Sequence, residues 1–473
     1  MIAQVTWDHE TKILIKTVNR RIRMPLLLCF AQLVATAQQQ SALTMPEAVQ
    51  RALDKYPAVR SSMEQVSAAA AGINLARTSY LPRADFLGQV NRATHSNVFG
   101  QLFPQSVIPS MTGPVLDANS GQSVWGSAVG TLVSWEPVDF GLRRASVDVA
   151  KVTRDRANAE VNVTKLQVAG TAADAFLTIA AAEQTVVAAK AGVERAQVLE
   201  QVIGTLAKNE LRPGADASRA QAELALARTQ QIQAEQARNV AYAALAVLLG
   251  VSPETLAIES HSLLAQAPAN LPEAPPTQHP AAIMQQAAVS EVKSREKVLT
   301  RSYYPRLYLE GAAFARGTGI QADGRTGGGA NGLGPNIQNW AVGAAVTFPA
   351  FDWFSIHAKK QIEAHNEQSA EAKYSQTLQD LNGNIFKAKA VLEGARRVAQ
   401  NTPIQLQAAR ATEQQATARY KTGLGNIAEV AEAERLLTQA EIDNSLAQLG
   451  VWRALLGVAA AQGDLTPFLT AAK

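Results

Sequence analysis

Segment 138–212 contains no proline and is rich in alanine, glutamate, glutamine, arginine and valine, residues that a helix favours or tolerates. As a single helix of about 65 residues, it would be about 100 Å long at about 1.5 Å per residue. Helices in globular proteins average about 11–12 residues, so this helix needs partners of similar length.

Shorter helical patterns at 44–79 and 217–250 precede and follow this segment, and each is about half its length. Stacked end to end, they can flank the long helix in an antiparallel arrangement. Small or apolar residues at a spacing of seven predict a coiled-coil-like contact with close approach. The residues at this spacing are Val149 and Val152, Val163 and Leu166, Gly170 and Ala173, and Leu177 and Ala180.

The scheme then recurs, with helical patterns at 280–302, 354–419 and 427–462. Short sequence matches return in the same order, which makes chance an unlikely explanation. The sequence therefore predicts two structural repeats within 38–473. Their predicted bounds are about 42–260 for repeat 1, about 261–280 for a proline-rich linker and about 281–463 for repeat 2. Examples of the matches are 79–83 with 302–306, and 222–223 with 433–434.

The first 37 residues have the pattern of an N-terminal extension and signal peptide. Arg20, Arg21 and Arg23 precede an apolar run at 24–37 that ends in small residues. This run is shorter than the ~20 residues of a spanning helix, and the alternative is a buried first helix. The single cysteine, Cys29, lies inside the run, so a mature chain would have no thiol chemistry.

The net charge of +4 comes largely from this leader, since the remaining chain has 39 positive and 38 negative residues. The balance gives no electrostatic footprint for nucleic acid, and we expect no nucleic-acid partner. After the leader, we expect no transmembrane helix, so any contact with a membrane core would be made by β-strands.

Four segments, 83–91, 123–135, 306–316 and 338–348, alternate apolar and polar residues as β-strands do. Strands of about ten residues with aromatic residues near their ends are typical of a membrane β-barrel, although a half-buried strand of a soluble sheet alternates in the same way. The apolar positions include Phe86, Val90, Trp125, Val133, Trp135, Leu307, Leu309, Trp340, Val342 and Phe348.

Four strands cannot close a barrel, because about eight is the smallest number that packs properly. An open sheet in lipid would leave unpaired edges, so the strands must come from several chains. Three copies give twelve strands, and a tetramer stays open as an alternative. The segments 93–121 and 317–336 are predicted to be outer loops, and Pro403 is predicted to kink or briefly break the second long helix.

The order of these elements, with several short motifs, resembles the TolC family of outer-membrane efflux proteins from about residue 41 to 464. The resemblance implies a mainly α fold with a small β part, in which long antiparallel helices form a periplasmic α-barrel and four strands contribute to a trimeric transmembrane β-barrel. The motifs are LTMPEA at 43–48, YP at 56–57, YLP at 80–82, YKTG at 420–423, EV at 429–430 and AE at 433–434.

The resemblance also implies a function: a passive exit duct in the cell outer membrane, with a long periplasmic portion, for tripartite efflux or type I secretion. Its implied partners are two sister subunits in a homotrimer, a periplasmic adaptor (membrane fusion) protein, an inner-membrane transporter and outer-membrane lipid. A soluble periplasmic coiled-coil scaffold or adaptor is the alternative.

Residues at the far helix turns carry the predicted site. By resemblance, Glu429 and Glu432 line the periplasmic aperture, where three copies would place up to six carboxylates. The alternative is that both acids complement the dipole at a helix start. The predicted tip turns and adaptor contact consist of Leu211, Gly214, Gly423, Leu424 and Gly425, whose glycines allow tight or left-handed backbone.

No catalytic constellation is present, and we expect neither an enzyme nor a cofactor. The six histidines show no metal-binding spacing. His357 and His365 lie eight residues apart without a neighbouring ligand set, so no metal site is predicted.

Overall fold

The computed structural model describes residues 42–94, 122–264, 267–321, 323 and 325–472. The predicted signal peptide and most of the predicted loop at 93–121 lie outside this part. The helices of the described part are α1 (Met45–Lys55), α2 (Pro57–Thr78), α3 (Leu142–Lys208), α4 (Gly214–Leu249), α5 (Pro280–Arg301), α6 (Trp353–Lys421), α7 (Ile427–Gln462) and α8 (Thr466–Ala471). Its strands are β1 (Arg83–Thr94), β2 (Ser123–Val138), β3 (Arg306–Thr318) and β4 (Ile337–Thr347).

Two helices dominate the molecule. With 67 and 69 residues, α3 and α6 are each about 100 Å long, which confirms the long helix predicted for 138–212. The shorter α2 and α4 pack against different halves of α3, as their stacked arrangement requires. Helices α5 and α7 pack against both α3 and α6 and so lie between the two long helices.

Of the two outcomes predicted at Pro403, the brief break is wrong, because α6 continues through this residue as one helix; the kink stays a prediction. Proline removes a backbone N–H and crowds the preceding turn, but tertiary packing offsets this cost. Just beyond it, Leu406 and Ala409 pack with Leu437 and Ala440 of α7 in an apolar cluster.

The main hydrophobic core lies around the midpoint of α3, where the stacked half-length helices meet. Phe176 and Leu177 of α3 are fully buried there, where α3 packs against α1, α4 and α7, and α8 packs on α7 and α1. The rings of Trp452 and Phe468 meet edge to face with centroids 6.0 Å apart. Thr44 and Glu47 form a capping box that starts α1 beside this core.

Helix α3 contains an apolar window of 18 residues, so by length and composition alone this helix could cross a membrane. The expectation that no such helix exists is therefore too strict. Half of the window is buried inside the chain, as in the core helix of a soluble protein, and its abundant alanines account for the mean hydropathy of 1.2.

The four strands form one antiparallel sheet in the order β1-β2-β3-β4. Its register brings the predicted apolar faces together, because directly opposed residues share a face. Val133 pairs with Ala84 on one side and with Gly311 on the other, and Gly311 also pairs with Val342. The apolar positions thus make one continuous face, and among the described strands β1 and β4 each have a single neighbour.

Candidate functional site

The two long helices turn back at the same end of the molecule, at 209–213 and 422–426. Leu211 and Leu424 stand exposed in these turns, at 68% and 74%. The structure places Gly423 in the left-handed region at φ +77°, whereas the equivalent conformation in the first turn belongs to Glu210 at φ +60°. Gly214 is instead the first residue of α4.

Gly425 lies outside the left-handed region but has little space around it. A Cβ atom there would stand 3.2 Å from Glu429 Oε2 and 3.3 Å from Arg419 Cβ. The absence of a side chain lets the second turn fold tightly against its own helix start.

A contact between Arg212 and Tyr420 joins the two turns. Arg212 Nη2 donates a 2.9 Å hydrogen bond to the Tyr420 carbonyl, and its guanidinium lies 4.6 Å from the centre of the Tyr420 ring. Tyr420 is buried with Ile203, Ile427 and Val430. Because both polar and apolar contacts link the tips, α3–α4 and α6–α7 end as one unit.

Glu429 and Glu432 occupy successive turns at the start of α7. Asn426 caps this helix: its Oδ1 accepts from Glu429 N at 3.0 Å and its Nδ2 donates to Glu429 Oε1 at 3.1 Å. Arg419 Nη2 lies 4.0 Å from Glu429 Oε2, and Arg435 Nη2 lies 3.1 Å from Glu432 Oε2. Each acid therefore has an arginine beside it, a pairing that the sequence analysis did not anticipate.

A groove of about 590 Å³ opens behind the tips between α3, α4 and α7. Glu434 of α7 lines it together with Glu223 of α4. Arg195 of α3 donates to Thr438 Oγ1 at 2.8 Å and to Glu441 Oε2 at 3.0 Å, rather than to Glu434.

The environment of Glu434 raises the pKa of its carboxyl to about 7. Burial is the main cause; the nearby Arg195 opposes it, and the negative charges of Glu413 and Glu223 add to it. Arg195, Glu223 and Glu413 belong to α3, α4 and α6, so three neighbouring helices contribute charge to this position on α7. Arg435 also lines the groove, and its Nε lies 3.7 Å from Glu223 Oε2.

Sequence analysis identified Ala222-Glu223 and Ala433-Glu434 only as a pair of repeat matches. The structure brings these two acids to one groove. The available signal for this cluster was a pair of acids at equivalent positions of the two predicted repeats, on α4 and α7, which both pack on α3.

The raised pKa of Glu434 predicts that stability falls as pH rises from about 4.5 to about 7. In this window the folded state binds more protons than the unfolded state, so the cost of the ionised carboxylate is complete above about 7. Glu434→Gln should remove this dependence and raise the free energy of unfolding at about pH 8 by roughly 1–2 kcal/mol, allowing for partial exposure.

Urea unfolding of detergent-solubilised protein, followed by circular dichroism at both ends of this pH range, measures the effect. Glu64→Gln, a change to an exposed carboxylate on α2, serves as the matched control. Equal pH responses of Glu434→Gln and the parent protein would contradict the raised pKa.

Within the described ranges, no group of three or more histidine, cysteine, aspartate or glutamate side chains is placed to hold a metal ion. His357 instead stacks on Trp353, with ring centroids 5.3 Å apart.

A family model described as outer membrane efflux protein matches residues 48–251 and 282–464, which is most of the chain. The chain belongs to the outer membrane efflux protein family. Membership confirms the resemblance on which the expected function was based, and the family is one of channels rather than of enzymes.

Individual relatives agree with this family. Over 219 residues the chain is 26% identical to Protein CyaE of Bordetella pertussis, a match over 46% of this chain and 42% of that protein. The chain thus spans less than half the length of this curated relative in the match.

Solved structures match over nearly the whole fold. The outer membrane channel CmeC of Campylobacter jejuni has a TM-score of 0.68 at 18% identity, over 89% of this chain and 85% of that one. A membrane protein from Pseudomonas aeruginosa has a TM-score of 0.70 at 18% identity, over 89% and 90%. These likenesses confirm the predicted fold class of long helices with a small antiparallel sheet.

Proposed function

We propose that this family member is one subunit of a trimeric exit duct in the cell outer membrane, with its helices in the periplasm. The observation that carries the proposal is the open sheet, which has one continuous apolar face and two edge strands with a single neighbour each. In lipid, such edges must be paired, and three copies supply the twelve strands of a closed barrel.

The length of the sheet fits a membrane. Trp125 and Trp135 lie on the apolar face, ten residues apart along β2. At about 3.3 Å per residue and a tilt of about 40°, they are separated by about 25 Å along the barrel axis, the height of the apolar band of such barrels.

The helical part supports the same assembly. Large apolar side chains stand exposed on α6, which packs on α5 and α7, and others stand exposed on α2 and α4, which pack on α3. In a trimer, α6 of one subunit meets α2 and α4 of the next, which covers both sets. The exposed residues are Ile362, Phe386, Val391, Val398 and Ile404 on α6, and Leu75, Ile232, Val240 and Val247 on α2 and α4.

In this assembly the chain is a passive conduit for tripartite efflux or type I secretion. A periplasmic adaptor and an inner-membrane transporter would deliver the substrate, with Leu211 and Leu424 contacting the adaptor where Gly214, Gly423 and Gly425 shape the turns. The two halves, 42–260 and 281–463, act as structural repeats, and the gap between the two matched family segments, at 252–281, supports the linker. Residues 1–37 are proposed to be removed after export.

Membrane fractionation tests the proposal against a soluble periplasmic scaffold or adaptor. An exit duct stays in the outer-membrane fraction and needs detergent for release. Recovery in the soluble periplasmic fraction would contradict it.

Glu429 and Glu432 are proposed to line the aperture of this duct. Replacing both with glutamine should raise the concentration of a trivalent cation needed to block conductance in planar bilayers by roughly tenfold, because up to six carboxylates are neutralised. Glu254→Gln with Glu259→Gln changes the same charge away from the tips. Unchanged blockade in the Glu429→Gln, Glu432→Gln variant would show that these acids do not line the aperture.

A further inference from the structure

The junction between sheet and helices carries an exposed aromatic cluster on one repeat. Phe348, Phe351, Trp353 and Phe354 are all exposed where β4 leads into α6, with Phe351 at 90%. Phe348 continues the apolar positions of β4, which end at Val346. The cluster therefore extends the apolar face of the sheet to the first turn of the helices.

Exposed cations surround this junction on every helix that joins a strand. Arg77 lies near the end of α2, Arg144 near the start of α3, Lys297 and Arg301 near the end of α5, and Lys359 near the start of α6, each within two turns of the helix end that joins a strand. We call these five residues the basic belt.

The basic belt has no acidic partners within the described part of the chain. Two acids near these helix ends, Asp148 and Glu296, lie 2.8 Å from Lys151 Nζ and 3.8 Å from Lys360 Nζ respectively. Of the belt residues, Arg301 has a ring contact, with its guanidinium 5.7 Å from the centre of Tyr304.

Helix dipoles do not explain this distribution. Cations at the C-terminal ends of α2 and α5 complement the dipole, but Arg144 stands in the first turn of α3, where the dipole disfavours positive charge. Lys359 lies in the second turn of α6, where the dipole has little effect. What the five residues share is their place near the helix ends that join the strands of the sheet, where the aromatic cluster also lies.

We propose that the basic belt binds the phosphate-bearing headgroups of anionic phospholipids, in the membrane leaflet that meets the helical end of the sheet. The inference rests on the proposed insertion of the sheet. Aromatic side chains occupy the boundary between acyl chains and headgroups, and cations just beyond them meet lipid phosphates. With the sheet inserted, the basic belt lies at the level of the lipid headgroups. Because its cations have no acidic partners in the described part of the chain, they attract anionic headgroups.

Native mass spectrometry of the detergent-solubilised protein with equal amounts of phosphatidylglycerol and phosphatidylcholine tests the proposal. The parent protein should retain phosphatidylglycerol preferentially, and added salt should weaken this preference. A variant with Arg77, Arg144, Lys297 and Lys359 changed to glutamine should lose it by roughly tenfold or more. Arg301 is left in place because it contacts Tyr304.

The charge-matched control changes Lys190, Lys208, Arg228 and Lys387, exposed cations distant from the sheet, to glutamine and should keep the preference. Equal lipid retention by the two variants would overturn the inference. So would an altered ion selectivity of the channel with unchanged lipid retention, which would place the cations in the lumen. If the parent protein itself does not insert into vesicles, that result would contradict the proposed function rather than the lipid inference alone.

Discussion

Replacing Arg143 with methionine is expected to lower the free energy of unfolding by about 3–5 kcal/mol, because it leaves a buried carboxylate without its cation. Both side chains of the Arg143–Asp139 pair are nearly inaccessible, at 8% and 10%. Asp139 Oδ2 accepts from Arg143 N at 2.6 Å and from Arg143 Nε at 2.9 Å, and Asp139 Oδ1 accepts from Gly141 N at 3.0 Å.

The same arginine joins three elements at the junction of sheet and helices. Its Nη1 donates to the Ser79 carbonyl at 3.0 Å, and its guanidinium lies 5.0 Å from the centre of the Tyr80 ring. Trp135 Nε1 donates to the Tyr80 carbonyl at 3.0 Å. Loss of Arg143 therefore loosens the end of α2, the end of β2 and the start of α3 together.

Urea unfolding of the solubilised protein, followed by circular dichroism, measures this loss. Arg144→Met is the matched control, since Arg144 is exposed and should change stability by less than about 0.5 kcal/mol. In a double-mutant cycle, adding Asp139→Asn should recover part of the loss, because no buried charge then remains. Equal stabilities of the two arginine variants would contradict the role given to Arg143.

Replacing Phe386 and Ile404 with arginine is expected to separate the proposed trimer into folded monomers. The two residues are exposed at 70% and 67% and stand 18 residues apart on α6, which is five helical turns, so they lie on one stripe. Each substitution removes about 2 kcal/mol of association free energy that apolar burial contributes at each interface. The two together therefore weaken association by roughly a thousandfold.

Size-exclusion chromatography with multi-angle light scattering in detergent reports the assembly state, and circular dichroism reports whether the helices persist. Phe386→Leu with Ile404→Val keeps the stripe apolar and should preserve the trimer. If the arginine variant stays trimeric, α6 does not form the subunit interface.

Much of the helical part follows from the sequence because its signals are local. The proline-free segment 138–212 contains α3, and the pattern at 427–462 has the same bounds as α7. Period-2 alternation located all four strands, and their register depends on the same alternation. Pro403 does not break α6, because its local cost is offset by packing with α7, which no local pattern reveals.

The contacts at the tips could not be predicted from local sequence patterns. Contacts such as Arg212 with Tyr420 join residues 208 positions apart, and they depend on how two helical hairpins meet. The charged environment of Glu434 on α7 likewise combines groups from three other helices. The sequence indicated acids and turns in this region. Their arginine partners and the groove could be identified only from the three-dimensional structure.

Disulfide crosslinking in isolated membranes tests most directly whether sister subunits complete the sheet. Gly88→Cys in β1 is combined in turn with Val342→Cys, Ala344→Cys and Val346→Cys in β4, and the single-cysteine variants are controls. Within one chain, β1 and β4 lie three strand spacings apart, about 14 Å, too far for a disulfide. We expect at least one pair to give a covalent trimer that reductant converts to monomers; monomers alone for every pair would contradict the shared barrel.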